Sequence, residues 1–388
     1  MTTLISFLGK GRADAKSGYR TATYHFGDGI LKTVNFFGLA LQEYLQPQRL
    51  ILVGTAGSMW DVFFERGGAD EELLALMDAV EQQRVDEAML TRHAKRLEQE
   101  LGVAVDCLLI PFARDTAEQI AVLRGLAAMV TEGETVSIDV THSFRHLPML
   151  ALVAARYLAH VSKVRVEELY YGALEMTANN VTPVLRLSGL LKMLDWVEAL
   201  ATYDKDGDYG VFAPLLEDDG MEPGRAKLLA KAAFFERTSN PVKAREALSS
   251  VFPSVDAHRG ELGSLFKDAL SQRINWFRQP ARHDWEASLA LENLDRSDFV
   301  RATTFLFESV STRAVMTQKL GDPNDYSLRA EAYDNFSKNH PEAKRLEYLR
   351  NALAHGSRRV DEAEAKALSS PESLADTLRR YAKKLLQS

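Results

Sequence analysis

The feature that most limits what this chain can fold into is an alternation confined to its first 180 residues. Short apolar runs recur at TLISFLG (3–9), RLILVGT (49–55), VAVDCLLIP (103–111), TVSIDVT (135–141) and KVRVEELYYGA (163–173). Helical stripes separate them at 31–45, 70–101, 115–130 and 143–160. A strand that is apolar along nearly its whole length is buried on both faces. A helix between two such strands makes a parallel crossover. The pattern predicts a Rossmann-like, mostly parallel sheet with helices on both sides. YRTATYHF (19–26) alternates differently and predicts a hairpin or a short antiparallel strand.

Beyond residue 185 the period changes. LRLSGLLKMLDWVEALATY (185–203) predicts a long helix, and from about residue 223 the chain reads as helix after helix. DKDGDYG (204–210) imitates a calcium loop in its acidic spacing, but no Glu follows to close such a loop, so it reads as a solvated turn. The fold class is therefore α/β plus all-α. The expected organisation is a Rossmann-like domain over 1–182, a connecting helical segment over 183–222 and a helical domain over 223–388.

Composition excludes several classes. With 388 residues, 46% of them hydrophobic, the chain has apolar material for two cores. The lone cysteine, Cys107, rules out a disulfide within the chain, argues against a thiolate zinc site and reads as a core residue. A net charge of −7 disfavours a coat of non-specific nucleic-acid affinity but leaves room for a local basic groove. The N-terminal apolar run is too short for a signal peptide, and no uncharged stretch approaches bilayer length. A cytoplasmic protein without membrane partners is expected.

In an open parallel sheet, ligands bind outside the carboxyl ends of the strands. Three such ends are polar here: GKGR from Gly9 to Arg12, GTAGSMWD from Gly54 to Asp61, and DVTHSFRHLP from Asp139 to Pro148. Ser58 suits capping the next helix and either Thr141 or Ser143 suits capping the helix through Leu150, and helix starts suit phosphates or other anions. Gly9, Gly54 and Gly57 allow close approach, while Lys10, Arg12, Arg145 and His146 add charge or donors. GxGxxG and GxxxxGK[ST] are both missing, which excludes a nicotinamide fingerprint and a P-loop. Spacing alone leaves a second reading open, in which these are ordinary turn and cap residues. His142 then packs and Asp139 orders the turn.

A different constellation closes the helical half. In YLRNALAHGSRR (348–359), Asn351 and His355 are four apart and share a helix face, while Arg350 and His355 stand about 140° apart around the axis. Two copies of the helix meeting across a two-fold axis would bring both pairs to one pocket. Gly356 suits the end of the helix. Such a trio can cleave RNA through the RNA's own 2′-hydroxyl. His355 moves the proton, Arg350 holds the phosphate and Asn351 orients either one. Arg358 and Arg359, with Arg379, Arg380, Lys383 and Lys384, can supply a basic groove. A helix end favours His and Arg through its dipole in any case, so the motif alone leaves the structural reading open. A second ArgxxxxHis match, Arg278 to His283, is interrupted by Pro280 and ranks lower.

Taken together, these segments resemble the CRISPR-associated CARF–HEPN ribonucleases of type III systems, over essentially the whole chain. DVTHSFRHLP and GTAGSMWD look like the strand-end segments of the CARF domain. YYGALE (170–175) with TPVLRLSGLLKMLDWVEAL (182–200) looks like its closing segment, and RNALAH resembles the HEPN motif. The resemblance implies a homodimer through both domains that binds cyclic oligoadenylate across the dimer axis, with cyclic tetra-adenylate favoured. It places Gly9, Lys10, Thr55, Gly57, Ser58, Thr141, His142, Ser143 and Arg145 near the ring. It further implies a metal-independent endoribonuclease site built from Arg350, Asn351 and His355 of both chains. That site cleaves single-stranded RNA to a 2′,3′-cyclic phosphate, without a cofactor or a stable protein partner. Two alternatives follow from the same resemblance. In one the helical half is silent and the protein is a regulator. In the other the sensor half also degrades its activator, with Lys10, Ser58, Thr141 and His142 as the residues concerned. A helical transcriptional regulator would need a recognition-helix unit, and no such pattern is present.

Overall fold

A computed structural model describes residues 1–11, 13–14, 18–27, 29–66, 71–142, 146–356 and 361–387. The chain divides into two compact units, Met1–Leu191 and Lys192–Ser388.

Among the described residues, the first unit is built on ten strands: β1 (Thr2–Phe7), β2 (Ala13–Asp14), β3 (Gly18–Tyr19), β4 (Ala22–His25), β5 (Leu31–Val34), β6 (Arg49–Gly54), β7 (Ala104–Leu109), β8 (Thr135–Asp139), β9 (Arg165–Gly172) and β10 (Val181–Arg186). β2 and β3 form a separate small hairpin, and the other eight make one sheet in the order β5-β4-β10-β9-β8-β1-β6-β7. Five neighbours, β7-β6-β1-β8-β9, are parallel throughout, as the apolar runs predict. β10 is antiparallel to β9, β4 is parallel to β10, and β5 is antiparallel to β4. The helices of this unit are α1 (Phe37–Leu45), α2 (Glu71–Glu81), α3 (Glu87–Leu101), α4 (Thr116–Met129) and α5 (Leu147–His160). α6 (Ser188–Asp206) starts in this unit and continues into the next.

The period of two divides the strand side chains between two cores. Leu4, Leu50 and Leu52 face one core with Phe37, Leu41, Leu73 and Leu97 of the first three helices. Ile5, Ile51 and Val53 face the other with Val122, Leu126, Ala151 and Leu158 of α4 and α5. Burial of each such side chain is worth about 1.5–3 kcal/mol, which is why both faces must be covered. Chain order passes from β1 to β6 on one side and returns to β8 on the other. The carboxyl ends of these three strands therefore flank a topological switch point.

Three segments depart from the helical stripes. Leu31–Val34 is strand, not helix, because it pairs back on β4 across a turn whose Gly27 and Gly29 take φ of 97° and 76°. The stripe over 70–101 is two helices, broken where Asp86 accepts the Met89 N–H and starts α3. Val181–Arg186 is strand as well. Asn179 and Asn180 both have positive φ and make a two-residue turn, on which Ala178 and Val181 exchange hydrogen bonds.

The second unit is helical: the rest of α6, then α7 (Phe212–Asp218), α8 (Pro223–Arg237), α9 (Pro241–Ala257), α10 (Gly263–Arg273), α11 (Arg282–Asp295), α12 (Phe299–Gln318), α13 (Tyr326–Ser337), α14 (Pro341–His355), α15 (Glu362–Ala367) and α16 (Pro371–Leu385). α12 packs against α11, α13, α14 and α16, burying Phe305, Leu306 and Val310. α16 adds Leu374, Leu378, Tyr381 and Leu385 at helical spacing. α7 and α15 have too few residues to show a period, and the sequence reading passes over them. Among the described residues, no helix is long and apolar enough to cross a membrane. Cys107 lies in β7, where burial first and Asp106 second push its thiol up to about 12.

Candidate functional site

The switch-point strand ends close on themselves. Ser58 Oγ donates to the Leu8 carbonyl at 2.9 Å and accepts the Thr55 N–H at 2.9 Å. The Met59 N–H donates to the Gly9 carbonyl and Trp60 Nε1 to the Thr55 carbonyl. Thr55 and Ser58 are fully buried, and the Ser58 hydroxyl, in contact with that of Thr55 at 3.2 Å, ties the end of β1 to the end of β6. Gly54 is required by packing: a Cβ there would stand 2.8 Å from the Trp60 ring. A Cβ on Gly57 would stand 2.8 Å from the Gln83 side chain. Lys10 is exposed at the rim, whereas Gly9 is buried.

The third strand end is held by its carboxylate. Asp139 is completely buried, accepts from Ser6 Oγ at 2.5 Å and from the Thr141 N–H at 2.8 Å. Burial pushes its carboxyl up to about 6 against the pull of those donors. Thr141 Oγ1 accepts the Gly172 N–H at 2.8 Å, joining the β8 end to β9. His142 Nε2 accepts the Phe37 N–H at 3.1 Å, with its ring 5.4 Å from that of Phe36. The first helical residue of α1 thus obtains an acceptor that its own cap position, Phe36, does not supply. Burial pushes His142 down to about 4, which leaves the ring neutral and able to accept. His146 bonds the Phe112 carbonyl at 2.9 Å. Ser143 and Arg145, like Arg12, lie outside the described residues.

In the helical unit, α14 buries Ala343, Leu346, Leu349 and Ala352 and ends at Gly356, whose φ is 66°. Its last turn and a half carries Arg350, Asn351 and His355. The Arg350 guanidinium lies over the Phe307 ring of α12 at 4.3 Å. Phe307 in turn packs on Tyr333 with ring centres 4.3 Å apart, and Tyr333 donates to the Ala343 carbonyl. Arg350 and Asn351 are partly buried and His355 is exposed. Arg358 and Arg359 lie outside the described residues. The interrupted match behaves otherwise: Arg278 stacks on Phe252, and the neighbouring Arg282 pairs with buried Glu286. Among the described residues, no group of three or more His, Cys, Asp or Glu side chains is placed to hold a metal ion.

The family described as CRISPR system endoribonuclease Csx1, CARF domain, matches residues 3–175. The chain carries a CRISPR-associated CARF domain. CRISPR-associated protein MJ1674 of Methanocaldococcus jannaschii is 24% identical over 398 aligned residues, which cover 92% of this chain. The chain spans 62% of that relative's length.

All nine strand-end positions named from the sequence fall inside the CARF match, and the α14 trio falls outside it. Within the CARF domain, Ser6 and the start of α1 were not singled out by sequence. Ser6 is one hydroxyl in an apolar strand. The contact between His142 and Phe37 spans 105 residues, which no local pattern reveals. On α14 the unremarked residue is Tyr348, which is 50% exposed. It lies three residues from Asn351, so helical spacing would find it.

Proposed function

We propose that this protein is a metal-independent, single-stranded RNA endoribonuclease of type III CRISPR defence, switched on by cyclic oligoadenylate. In this reading residues 1–182 are the sensor, 183–222 connect, and 223–388 form a HEPN domain. The observation that carries it is the end of α14, where Arg350, Asn351 and His355 share one short segment of a helical unit joined to a CARF domain.

The chemistry follows from those side chains. A 2′-hydroxyl of RNA attacks the adjacent phosphorus while one imidazole takes its proton. The bond to the 5′-oxygen breaks, and a second imidazole protonates that oxygen as it leaves. The products are a 2′,3′-cyclic phosphate and a 5′-hydroxyl. Arg350 holds the phosphate oxygens as charge builds on them, and Asn351 orients the ring or an oxygen. One α14 sends Arg350 and His355 to flanks about 140° apart. The helix of a second copy completes the pocket, so a homodimer is required.

The activator lies across the strand ends of two CARF domains and favours one paired arrangement of the helical halves. Lys10, Thr141, His142, Ser143 and Arg145 are the residues assigned to its recognition. Gly9, Thr55, Gly57 and Ser58 contribute through the turns they hold. Of the possible rings, the resemblance favours cyclic tetra-adenylate. The self-engaged Ser58, Thr141 and His142 are the reason chemistry is assigned to the helical half rather than to ring cleavage.

The test is fluorescent RNA incubated with cyclic tri-, tetra- or hexa-adenylate, with and without EDTA. Cleavage is expected with the tetramer, unaffected by EDTA, leaving 2′,3′-cyclic ends. Intact RNA with every ring would overturn the ribonuclease reading. Loss of the ring on prolonged incubation would move chemistry back to the CARF domain.

A further inference from the structure

α14 carries more than the trio at its end. Its first turns form one wall of a cleft of about 320 Å³, and the last turns of α16 form the other. Arg345, Arg380 and Lys384 line the cleft with Pro341, Glu342 and Tyr381. Lys384 reaches Glu342 across it. Asp361, at the start of α15, lies within electrostatic reach of Arg345. The lining cations outnumber the lining carboxylate, and the amino end of α14 adds its positive pole. The cleft therefore selects for an anion with several acceptor oxygens.

Helix geometry links this cleft to the trio. At about 100° per residue, Arg345, Tyr348, Asn351 and His355 fall within an arc of about 120° on one side of α14. Arg345, Tyr348 and His355 are exposed and Asn351 is partly buried. Lys344 Nζ stands 5.4 Å from the centre of the Tyr348 ring. At 1.5 Å per residue, Arg345 precedes His355 by about 15 Å along the axis. A cationic cleft, then an open aromatic ring, then a proton-transfer residue is the order a single strand of nucleic acid fits. Phosphates meet the cations and a base stacks on the ring.

Resting on the ribonuclease reading, we propose that substrate RNA lies along this side of α14, with one backbone phosphate in the Arg345–Arg380–Lys384 cleft and one base stacked on Tyr348. This track delivers the scissile phosphate to the trio.

Binding of a labelled single-stranded RNA to the full-length His355→Ala protein tests the track without cleavage. Arg345→Gln combined with Arg380→Gln raises Kd about tenfold or more and lowers the salt slope of log K by about 0.7 for each phosphate no longer neutralised. Tyr348→Leu raises Kd about tenfold with the salt slope unchanged, because stacking releases no ions. Glu342→Gln frees Lys384 and lowers Kd, a gain that no unfolding artefact imitates. If the double variant does not fold, Arg380→Gln alone and Glu342→Gln must still move Kd in opposite directions. An unmoved Kd beside normal wild-type cleavage overturns the track and leaves the ribonuclease reading standing. Weakened binding by these variants beside a wild type that never cleaves keeps the RNA track and overturns the ribonuclease reading instead.

Discussion

The guanidinium of Arg350 stands 4.3 Å from the centre of the Phe307 ring, so a residue of α12 sets the direction in which an α14 arginine points. The ring is itself braced by Tyr333, whose hydroxyl is tied to the Ala343 carbonyl at 2.6 Å. A planar cation on a braced ring keeps its fork in one plane, which is what bidentate phosphate binding needs. Arg350→Lys keeps the charge but loses the fork and the stacking. Its RNA cleavage rate falls at least about 100-fold, the cost of losing one transition-state donor. Phe307→Leu keeps Arg350 but frees it, and a smaller loss of roughly tenfold is expected in kcat. Single-turnover cleavage rates of the two variants, compared side by side, decide the point.

His355 is exposed at the helix end, so its removal leaves the fold intact. His355→Ala changes unfolding free energy by no more than about 0.5 kcal/mol. It lowers RNA cleavage by about 100-fold to 10,000-fold. Binding of cyclic tetra-adenylate is unchanged. Calorimetric titration with the activator and a cleavage assay on one preparation read both halves, and undiminished cleavage would sink the composite site.

Ser58 and Lys10 separate fold from ligand at the strand ends. Ser58→Ala strands a buried carbonyl and a buried N–H, and costs about 1–3 kcal/mol in urea unfolding. Lys10→Ala removes an exposed cation and leaves stability unchanged while raising the activator concentration that gives half-maximal cleavage. Equal effects of both on stability would contradict this division.

Asp139 and His142 make stability depend on pH in opposite senses. His142, about 4 in the fold against about 6.5 when unfolded, contributes fully above 6.5 and loses its contribution as pH falls toward 4. Asp139, raised to about 6 from 3.8, favours the fold at low pH and loses that contribution as pH rises through 6. The two offset each other between about pH 4 and 6.5. Asp139→Asn keeps an acceptor for Thr141 and a partner for Ser6, and removes the buried charge. It stabilises the protein at pH 7 by about 1–3 kcal/mol. It also steepens the loss of stability below pH 6.5, because the compensation from Asp139 is gone. Urea midpoints at pH 4.5, 5.5 and 7 measure both changes.

Much of the candidate site is visible as sequence, because its positions follow from where elements stop. An apolar strand that runs into Gly9, Gly54 or Thr141 marks a strand end. RNALAH before Gly356 marks a helix end, and Gly356 does close α14 with φ of 66°. Roles at those ends are less visible. Ser58 and His142 read equally as ligand contacts or as packed polar groups. The choice depends on Leu8 and on Phe37, 50 and 105 residues away in sequence.

The division into an α/β half and a helical half, and the five parallel strands at the centre of the sheet, are legible in the residues alone. Both follow from local period and apolarity, which act within ten or twenty residues. Tertiary structure alone decided the sheet's outer edge. Leu31–Val34 and Leu185–Arg186 fall in stripes that read as helix, yet become strand because β4 and β9 offer them unpaired backbone. It alone decided which face of α14 is open. Arg350 turns toward Phe307, while Arg345, Tyr348 and His355 stay exposed. A helix has the same period on every side, and only the neighbours packed against it choose the side that meets water.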